Sequence, residues 1–478
     1  MRLLVSETSP AAVVILAAGE GKRIKSRTPK VLHRLSGRSL LGHTIAAAAQ
    51  LDPKRLVVVV GHGKEQVGAE AVAVAPEAAV VVQEQQLGTG HAVRMVIEAV
   101  GEMPGTVLIT YGDMPLLRGE TLRELASRHL AAGNAVTVLT ARGEFPGFGR
   151  IVRDTDGAFL RIVEERDATA EERAIDEFNS GCYAFDGTLL SDAVKRVTTD
   201  NSQHEEYLTD VVEILRRDGH AVGTMLAAEA AEIQGVNDRV ELAGARRALN
   251  DRILEDWMRA GVTIIDPAST WIDVTVTIGQ DAEIGPQTQL EGSTVIGAGA
   301  KVGPGCLLTD TTVGEDAVLL NVVSRQAEIG DRATLGPFAY LRPQARVEAD
   351  AHVGTYVEIK KSVVGPGAKV PHLTYVGDAT IGAGANIGAG TIFANYDGVH
   401  KHHTTVGEHA FIGSNTVLAA PVTIGDGGYT AAGSAITEDV PPGDLGIARG
   451  KQHNSDGWVL RNREQTRSAE AAKRSRSE

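Results

Sequence analysis

Two groups of residues in this sequence have types and spacings suited to chemistry. The first lies in the N-terminal half. Asp113 directly follows the apolar run 106–110 (TVLIT), where a sheet would present the C-terminal edge of a strand. A carboxylate there suits Mg²⁺, which takes few protein oxygens and otherwise binds water and phosphate. Upstream, 19–23 (GEGKR) is a glycine-rich loop that can bring backbone N–H groups close to a phosphate, with Arg23 and Lys30 adding positive charge. Alone, that loop is equally well explained as a turn. The second group lies in the last third. LRPQA (341–345), EIKKS (358–362), PHLTYVGD (371–378), ANIGAGT (385–391) and ANYDG (394–398) set polar groups among small residues. A neutral imidazole such as that of His372 can take a proton near pH 7, although a lone histidine in a loop more often serves structure.

The first group needs a sheet to hold it. Residues 13–18 (VVILAA) read as a fully buried strand, and further apolar runs follow at 56–60, 79–82, 106–110 and 135–140, with helical stretches such as 40–49 and 90–100 between them. This alternation predicts a Rossmann-like α/β unit: a mostly parallel sheet, helices on both faces, and ligands beyond the strand C-termini.

The second group sits on a repeat. From Ile278 an aliphatic residue returns every sixth position, as Ile284, Leu290, Ile296, Val302 and Leu308, with a small residue four places after each and often a glycine directly after. The run slips near Val313 and again at Val364, and ends as Val406, Ile412, Leu418 and Ile424. A period of six fits neither a helix nor an amphipathic strand; it marks a solenoid of short strands, three hexads to a coil and roughly nine coils. Glycines are expected at its tight corners. Between the two units, 238–260 carries Leu242, Ala245, Leu249, Ile253 and Trp257 at helical spacing, with Asn237 or Asp238 to cap its start and Gly261 its end. The expected domains are therefore 1–237, a linker helix 238–261, a β-helix 262–464 and a disordered tail 465–478, the last being Ser, Arg, Lys, Glu and Ala without apolar pattern.

Composition narrows the partners. A net charge of −14 argues against a general nucleic-acid binder, and no apolar run reaches the ~18 residues of a membrane span. Cys182 and Cys306 are far apart, which points to a reducing, cytoplasmic setting without a disulfide framework. HKHH (400–403) invites a metal-site reading, but its spacing marks no regular face, and it reads instead as a loop inserted after ANYDG.

Beyond these readings stands an ordered set of strings: LAAGEGKR (16–23), PKVLH (29–33), QEQQLGTGHA (83–92), YGDMPL (111–116), GFGRI (147–151), VEE (163–165), NSG (179–181) and GVND (235–238). With the strings of the solenoid, this set closely resembles the bacterial family of bifunctional N-acetylglucosamine-1-phosphate uridylyltransferases and glucosamine-1-phosphate N-acetyltransferases. The resemblance covers the chain apart from about its first ten and last twenty residues. It implies a nucleotidyltransferase domain followed by a left-handed parallel β-helix of hexapeptide repeats. It also implies two reactions, acetyl transfer from acetyl-CoA to glucosamine 1-phosphate and uridylyl transfer from UTP to N-acetylglucosamine 1-phosphate.

The resemblance also implies residue roles. Asp113 and Asn237 would hold Mg²⁺. Arg23 and Lys30 match phosphate contacts, Leu16, Ala17, Ala18 and Gly19 loop contacts to the nucleotide, and Gln83, Gly88 and Thr89 contacts to uracil. Tyr111, Gly112, Gly149, Glu164 and Asn179 match the sugar side; without the resemblance, Glu164 and Glu165 would read as solvated acids. In the solenoid, His372 matches the catalytic base, with Glu358 a candidate to orient it. Arg342, Lys360, Tyr375 and Asn386 match the sugar-phosphate site. Ala389, Asn395, Tyr396, Ser414, Ala432 and Arg449 match acetyl-CoA contacts, and Lys401 stands where the family carries a basic residue. A homotrimer with a shared acetyl site is implied too.

Departures from the family pattern are small: Glu20 and Lys22 in the phosphate loop, and YTAAGS (429–434) near Ala432. Two competing readings are a nucleotidyltransferase whose solenoid serves only assembly, as in glucose-1-phosphate adenylyltransferases, and a non-catalytic scaffold. His372 and Asn386 oppose the first, and intact Asp113, Asn237, Lys30 and His372 oppose the second.

Overall fold

Strand Ala12–Ala17 is buried along its whole length, which is why its sequence shows no alternation: both faces of a central parallel strand are covered. It pairs in parallel with Leu56–Val60 on one side and Thr106–Tyr111 on the other, and Ala79–Val82 extends the sheet beyond Leu56–Val60. The computed structural model describes residues 9–143, 147–201 and 203–477. Helices Leu40–Ala49 and Thr89–Val100 fall where the apolar pattern requires them.

Four strands of this nine-stranded sheet were not foreseen, an interior one among them. Glu177–Asp186 runs antiparallel between Thr106–Tyr111 and Val136–Arg142, and the latter pairs in parallel with Val222–Leu226. Glu177–Asp186 carries the NSG string into the sheet interior, where the register shifts between Asn179 and Tyr183 and Asn179 Nδ2 donates to Tyr183 Oη at 2.7 Å. A hairpin of Arg150–Arg153 and Phe159–Val163 is joined to it through the Phe178–Arg150 pair.

Asp238 caps helix Arg239–Arg259 by accepting from the N–H groups of Val240 and Glu241. The helix buries Leu242, Ala245, Leu249, Ile253 and Leu254, and it clusters with the first compact unit, which runs to Ala260 and takes in Trp271–Val276.

The second unit is a stack of parallel coils. On one face Ile278, Ile296, Val313, Ile329, Val347, Val364, Ile381, Val406 and Ile424 follow one another in register, one from each coil. Where the six-residue rhythm slips, at Val313 and Val364, the column is unbroken: a corner loses a residue and the strands keep their pairing. The step from Ile381 to Val406 is the long one, and it contains the loop inserted after Asn395.

The glycines do not mainly serve as left-handed corners. A Cβ on Gly297 would stand 2.6 Å from the backbone of Gly314 and Glu315 in the next coil, so glycine is required there by close approach. Many left-handed corners are instead taken by other residues, some with short polar side chains that tolerate positive φ, such as Asp281, Asp316 and Asp350, and others long or aromatic, such as Arg332, Phe338 and Tyr356.

The tail also departs from expectation. Arg467–Ser477 is helical, with Thr466 Oγ1 accepting from the Ala469 N–H at 3.3 Å, because Ala, Glu, Lys and Arg are strong helix formers even without an apolar stripe. Glu478 lies outside the described residues. Among those residues no helix is long and apolar enough to cross a membrane, and both cysteines are free and buried.

Candidate active sites

In the first unit, the C-terminal ends of the parallel strands deliver their loops to one place. Lys30 Nζ is ion-paired with Asp113 Oδ2 and donates to Asn237 Oδ1 at 3.2 Å. Residues 207 positions apart in sequence thus converge on one positive charge. One carboxylate and one amide oxygen aimed at a single cation form a donor set that fits a hard divalent ion, whose remaining positions phosphate and water can fill. Among the described residues no three His, Cys, Asp or Glu gather in a way that could hold a metal. Backbone hydrogen bonds secure both residues. Val236 N–H donates to Asp113 O at 2.9 Å, and Asn237 N–H donates to Glu241 Oε2 at 2.5 Å.

Two cavities open from this point and share Thr89, Tyr111 and Asp113. One, of about 350 Å³, is lined by Leu16, Ala17, Ala18, Gly19, Lys30, Gln83 and Gly88. The other, of about 370 Å³, is lined by Arg23, Gly149, Glu164, Asn179 and Asn237. Every residue assigned to nucleotide or sugar therefore faces one cavity, except Gly112, which packs behind the wall: a Cβ there would touch Leu41 and Ala17.

Several of these residues are held by neighbours. Gln83 is buried and donates to Gly88 O (3.0 Å), and its amide also bonds His91 Nδ1 (2.9 Å). Gly88 has φ +115, and a Cβ would lie 2.4 Å from Glu206 O. Glu206 is fastened in turn by Arg94, so the loop over this cavity is a clamp whose fit demands glycine. Glu164 accepts from Thr209 Oγ1 at 3.2 Å; burial raises its pKa, more than the Thr209 bond lowers it. Glu165 pairs with Arg150 at 3.0 Å. Neither acid is solvated as the bare sequence suggested, because the partners arrive from distant segments. Glu20 and Lys22 pair with each other at 2.9 Å on the surface, so each offsets the other's charge in the loop.

In the second unit the assigned residues straddle one corner of the coil stack. Arg342, Glu358, Lys360 and Tyr375 lie on one face, with Glu358 opposite Tyr375 in register. His372 ends a strand of the adjoining face, is exposed, and lies opposite Thr355; Asn386 follows on that face beside Lys369. Glu358 has a partner of its own. Its carboxylate is engaged by Arg342 Nη1 at 2.9 Å, because those two side chains share a face whereas His372 belongs to the next. Tyr375 Oη and Asn395 Nδ2 close over Gly377, where a Cβ would stand 2.4 and 2.8 Å from them. Ala389, Tyr396 and Ser414 are further along the stack, and Arg449 Nη1 donates to Ala432 O at 2.9 Å. The histidine loop does not gather a metal site: His402 bonds Asp397 at 2.8 Å and His403 bonds Thr380 at 3.1 Å.

Comparison with known proteins matches residues 13–251 to the MobA-like NTP transferase domain, and residues 275–310 and 403–438 to bacterial transferase hexapeptide repeats. The chain is 59% identical over 471 residues to "Bifunctional protein GlmU" of Streptomyces avermitilis, covering 98% of each chain. It is 59% identical over 478 residues to the protein of that name from Thermobifida fusca, covering 99% of each. With the protein of that name from Nocardia farcinica it shares 52% over 469 residues, 96% of this chain and 95% of the other.

The chain belongs to the GlmU family.

Within this GlmU chain, some residues facing the cavities had been given no role: Gln86 lies inside QEQQLGTGHA, whereas Glu205 and Thr209 lie in none of the strings. Glu205 and Gln86 line the first cavity, Thr209 and Glu241 the second. Thr209 and Glu205 come from the segment around helix Leu208–Arg217, which looks like ordinary amphipathic helix in sequence. Glu241 carried a partial signal, since an acid in the first turn after an Asp cap is a recognised helix start. Asp378, inside PHLTYVGD, was read past entirely, although it is a buried carboxylate with three side-chain partners.

Proposed function

We propose that this chain makes UDP-N-acetylglucosamine by two transfers, acetylating glucosamine 1-phosphate in its second unit and uridylylating N-acetylglucosamine 1-phosphate in its first. The observation that carries the proposal is that the likeness to bifunctional GlmU relatives runs through both halves and covers nearly all of each chain.

For uridylyl transfer, Asp113 and Asn237 would hold one Mg²⁺, which when bound offsets the charge of the triphosphate. Lys30 and Arg23 bind the phosphates, and the 350 Å³ cavity takes the nucleoside, with Gln83 and Gly88 at the base. Tyr111, Glu164, Asn179 and Gly149 hold the sugar so that its phosphate oxygen reaches the α-phosphorus as pyrophosphate leaves. The protein's contribution is alignment and charge stabilisation rather than covalent chemistry. The convergence of Lys30, Asp113 and Asn237 where the two cavities meet supports this assignment.

For acetyl transfer, His372 takes a proton from the sugar amine as it attacks the thioester carbonyl, and the CoA thiol departs. Arg342 and Lys360 face the sugar phosphate with Tyr375 and Asn386, while Ala389, Asn395, Tyr396, Ser414, Ala432 and Arg449 receive acetyl-CoA. We read the working form as a homotrimer whose acetyl site is shared between chains. Supporting this, the assigned residues extend over several coils along exposed faces. Two reduced cysteines fit a cytoplasmic setting. A coupled assay supplying glucosamine 1-phosphate, acetyl-CoA, UTP and Mg²⁺ should release CoA and pyrophosphate in equal amounts. Pyrophosphate release without CoA release would leave only a nucleotidyltransferase.

Gly181 offers a sharper test of the first site. It has φ +81, and an added Cβ would stand 2.2 Å from the Tyr111 ring. Gly181→Ala should displace Tyr111 from the wall between the cavities and lower uridylyl kcat/KM by roughly a hundredfold. Acetyl transfer by the same variant should be unchanged, which also reports that the chain is folded.

A further inference from the structure

Asp378 is only 7% exposed, holds φ +48 at a corner, and has no part in the chemistry above. Its Oδ2 accepts from Asn395 Nδ2 at 2.5 Å and from Lys360 Nζ at 3.4 Å, while Oδ1 faces Lys361 Nζ at 3.7 Å. Its backbone is engaged as well. Asp378 N–H donates to Lys360 O at 3.1 Å, and Asp378 O accepts from Thr404 N–H at 3.2 Å. Asn395 begins the inserted loop and Thr404 ends it. The loop is closed above this base by His402 N–H donating to Asn395 O at 2.8 Å, and by the bridge between Tyr396 and Lys401.

We propose that Asp378 is a positioning residue for acetyl transfer, one buried carboxylate that braces both ends of the 395–404 loop and aims the Asn395 amide while holding Lys360 in place. This rests on the assignment of Asn395 to acetyl-CoA and Lys360 to the sugar phosphate. A buried carboxylate without partners is costly, so its presence here demands compensating donors, and two segments supply them, 360–361 with two ammonium groups and Asn395 with its amide. Burial raises the Asp378 pKa, but Asn395, Lys360 and Lys361 outweigh it and hold the carboxyl below its usual range. The loop also brings Lys401 beside Lys360, which lowers the Lys401 pKa. Asp378 is thus the anion that lets the loop deliver a second ammonium to this corner. The same carboxylate oxygen that steadies the cation assigned to the sugar phosphate therefore also sets the start of the loop assigned to CoA.

The test uses the full-length enzyme and three variants. Asp378→Ala removes the acceptor. Asp378→Asn keeps an oxygen for Asn395 and tolerates the left-handed corner. Asn395→Ala removes the donor. We expect Asp378→Ala to raise the KM for acetyl-CoA about tenfold, and to increase amide hydrogen exchange within 395–404. Asp378→Asn should return the KM to within about threefold of the parent, and the Asp378→Ala/Asn395→Ala double variant should be no worse than Asn395→Ala. Uridylyl transfer serves as the folding control. Unchanged exchange in Asp378→Ala, an unchanged acetyl-CoA KM where Asn395→Ala raises it, no recovery with Asp378→Asn, or additive effects in the double variant would each overturn the proposal. An acetyl-CoA KM unmoved by Asn395→Ala would instead remove the parent assignment of Asn395, and the positioning role with it.

Discussion

Asp113→Ala should abolish uridylyl transfer, lowering its kcat by roughly a thousandfold or more, while acetyl transfer by the same protein continues. Asp113 is the carboxylate paired with Lys30, which also reaches Asn237, and it lines both cavities. Its removal leaves Lys30 without its anion, and Lys30 would then draw toward Asn237 or the cavity rather than toward a metal. Asp113→Asn makes the distinction finer. It keeps the shape and an oxygen ligand but loses the charge, so activity should return in part at raised Mg²⁺ or Mn²⁺. Measuring UDP-sugar formation across a metal titration, beside CoA release from the same preparation, decides the matter. Loss of both activities together in a folded variant would contradict two separate sites.

His372→Ala should give the converse result: acetyl transfer reduced by about a hundred- to ten-thousandfold, with uridylyl transfer from supplied N-acetylglucosamine 1-phosphate intact. The fall should be in kcat more than in either KM, because an exposed imidazole at the end of its strand contributes a proton acceptor rather than a binding wall. Raising the pH should lessen the deficit, since free amine substrate then needs less help in losing its proton. A variant that loses acetyl-CoA binding while retaining kcat would place His372 in the binding wall and leave the base unassigned.

Much of the architecture was legible because it was written in local periodicity. The hexads at Ile278, Ile296 and Val347 determine both which residues are buried and which coils stack, so the solenoid could be read without long-range information. The parallel strands at 12–17, 56–60 and 106–111 were equally plain, being runs of buried aliphatics. Strand Glu177–Asp186 was not, because its apolar residues are interrupted by NSG and its place between two other strands depends on pairing at long range. The same limit governs the sites. Asp113 was marked by its position after a strand, but Glu165 could not be told from a solvated acid until Arg150 was in place beside it. The pairing of Glu358 with Arg342 was not foreseen, since sequence gives the coil but not which face a corner residue turns to. Asp378 was missed for the same reason: Asn395 and Lys361 reach it from neighbouring coils, and nothing within eight residues of it announces that convergence.

The coil stack has a direction as well as a length. Each interior coil is hydrogen-bonded on both sides, whereas the strand Leu445–Gly446 pairs only with Tyr429–Thr430 behind it. In such a one-dimensional array, cooperativity passes from neighbour to neighbour and the termini fray first. His372, Lys360 and Asp378 stand several coils inside this gradient, on the most firmly gripped part of the column. Ser414, Ala432 and Arg449 stand progressively nearer its free end. The groups proposed to react would thereby stand on coils paired on both sides, and the surface proposed for the long cosubstrate nearer the end where fraying begins.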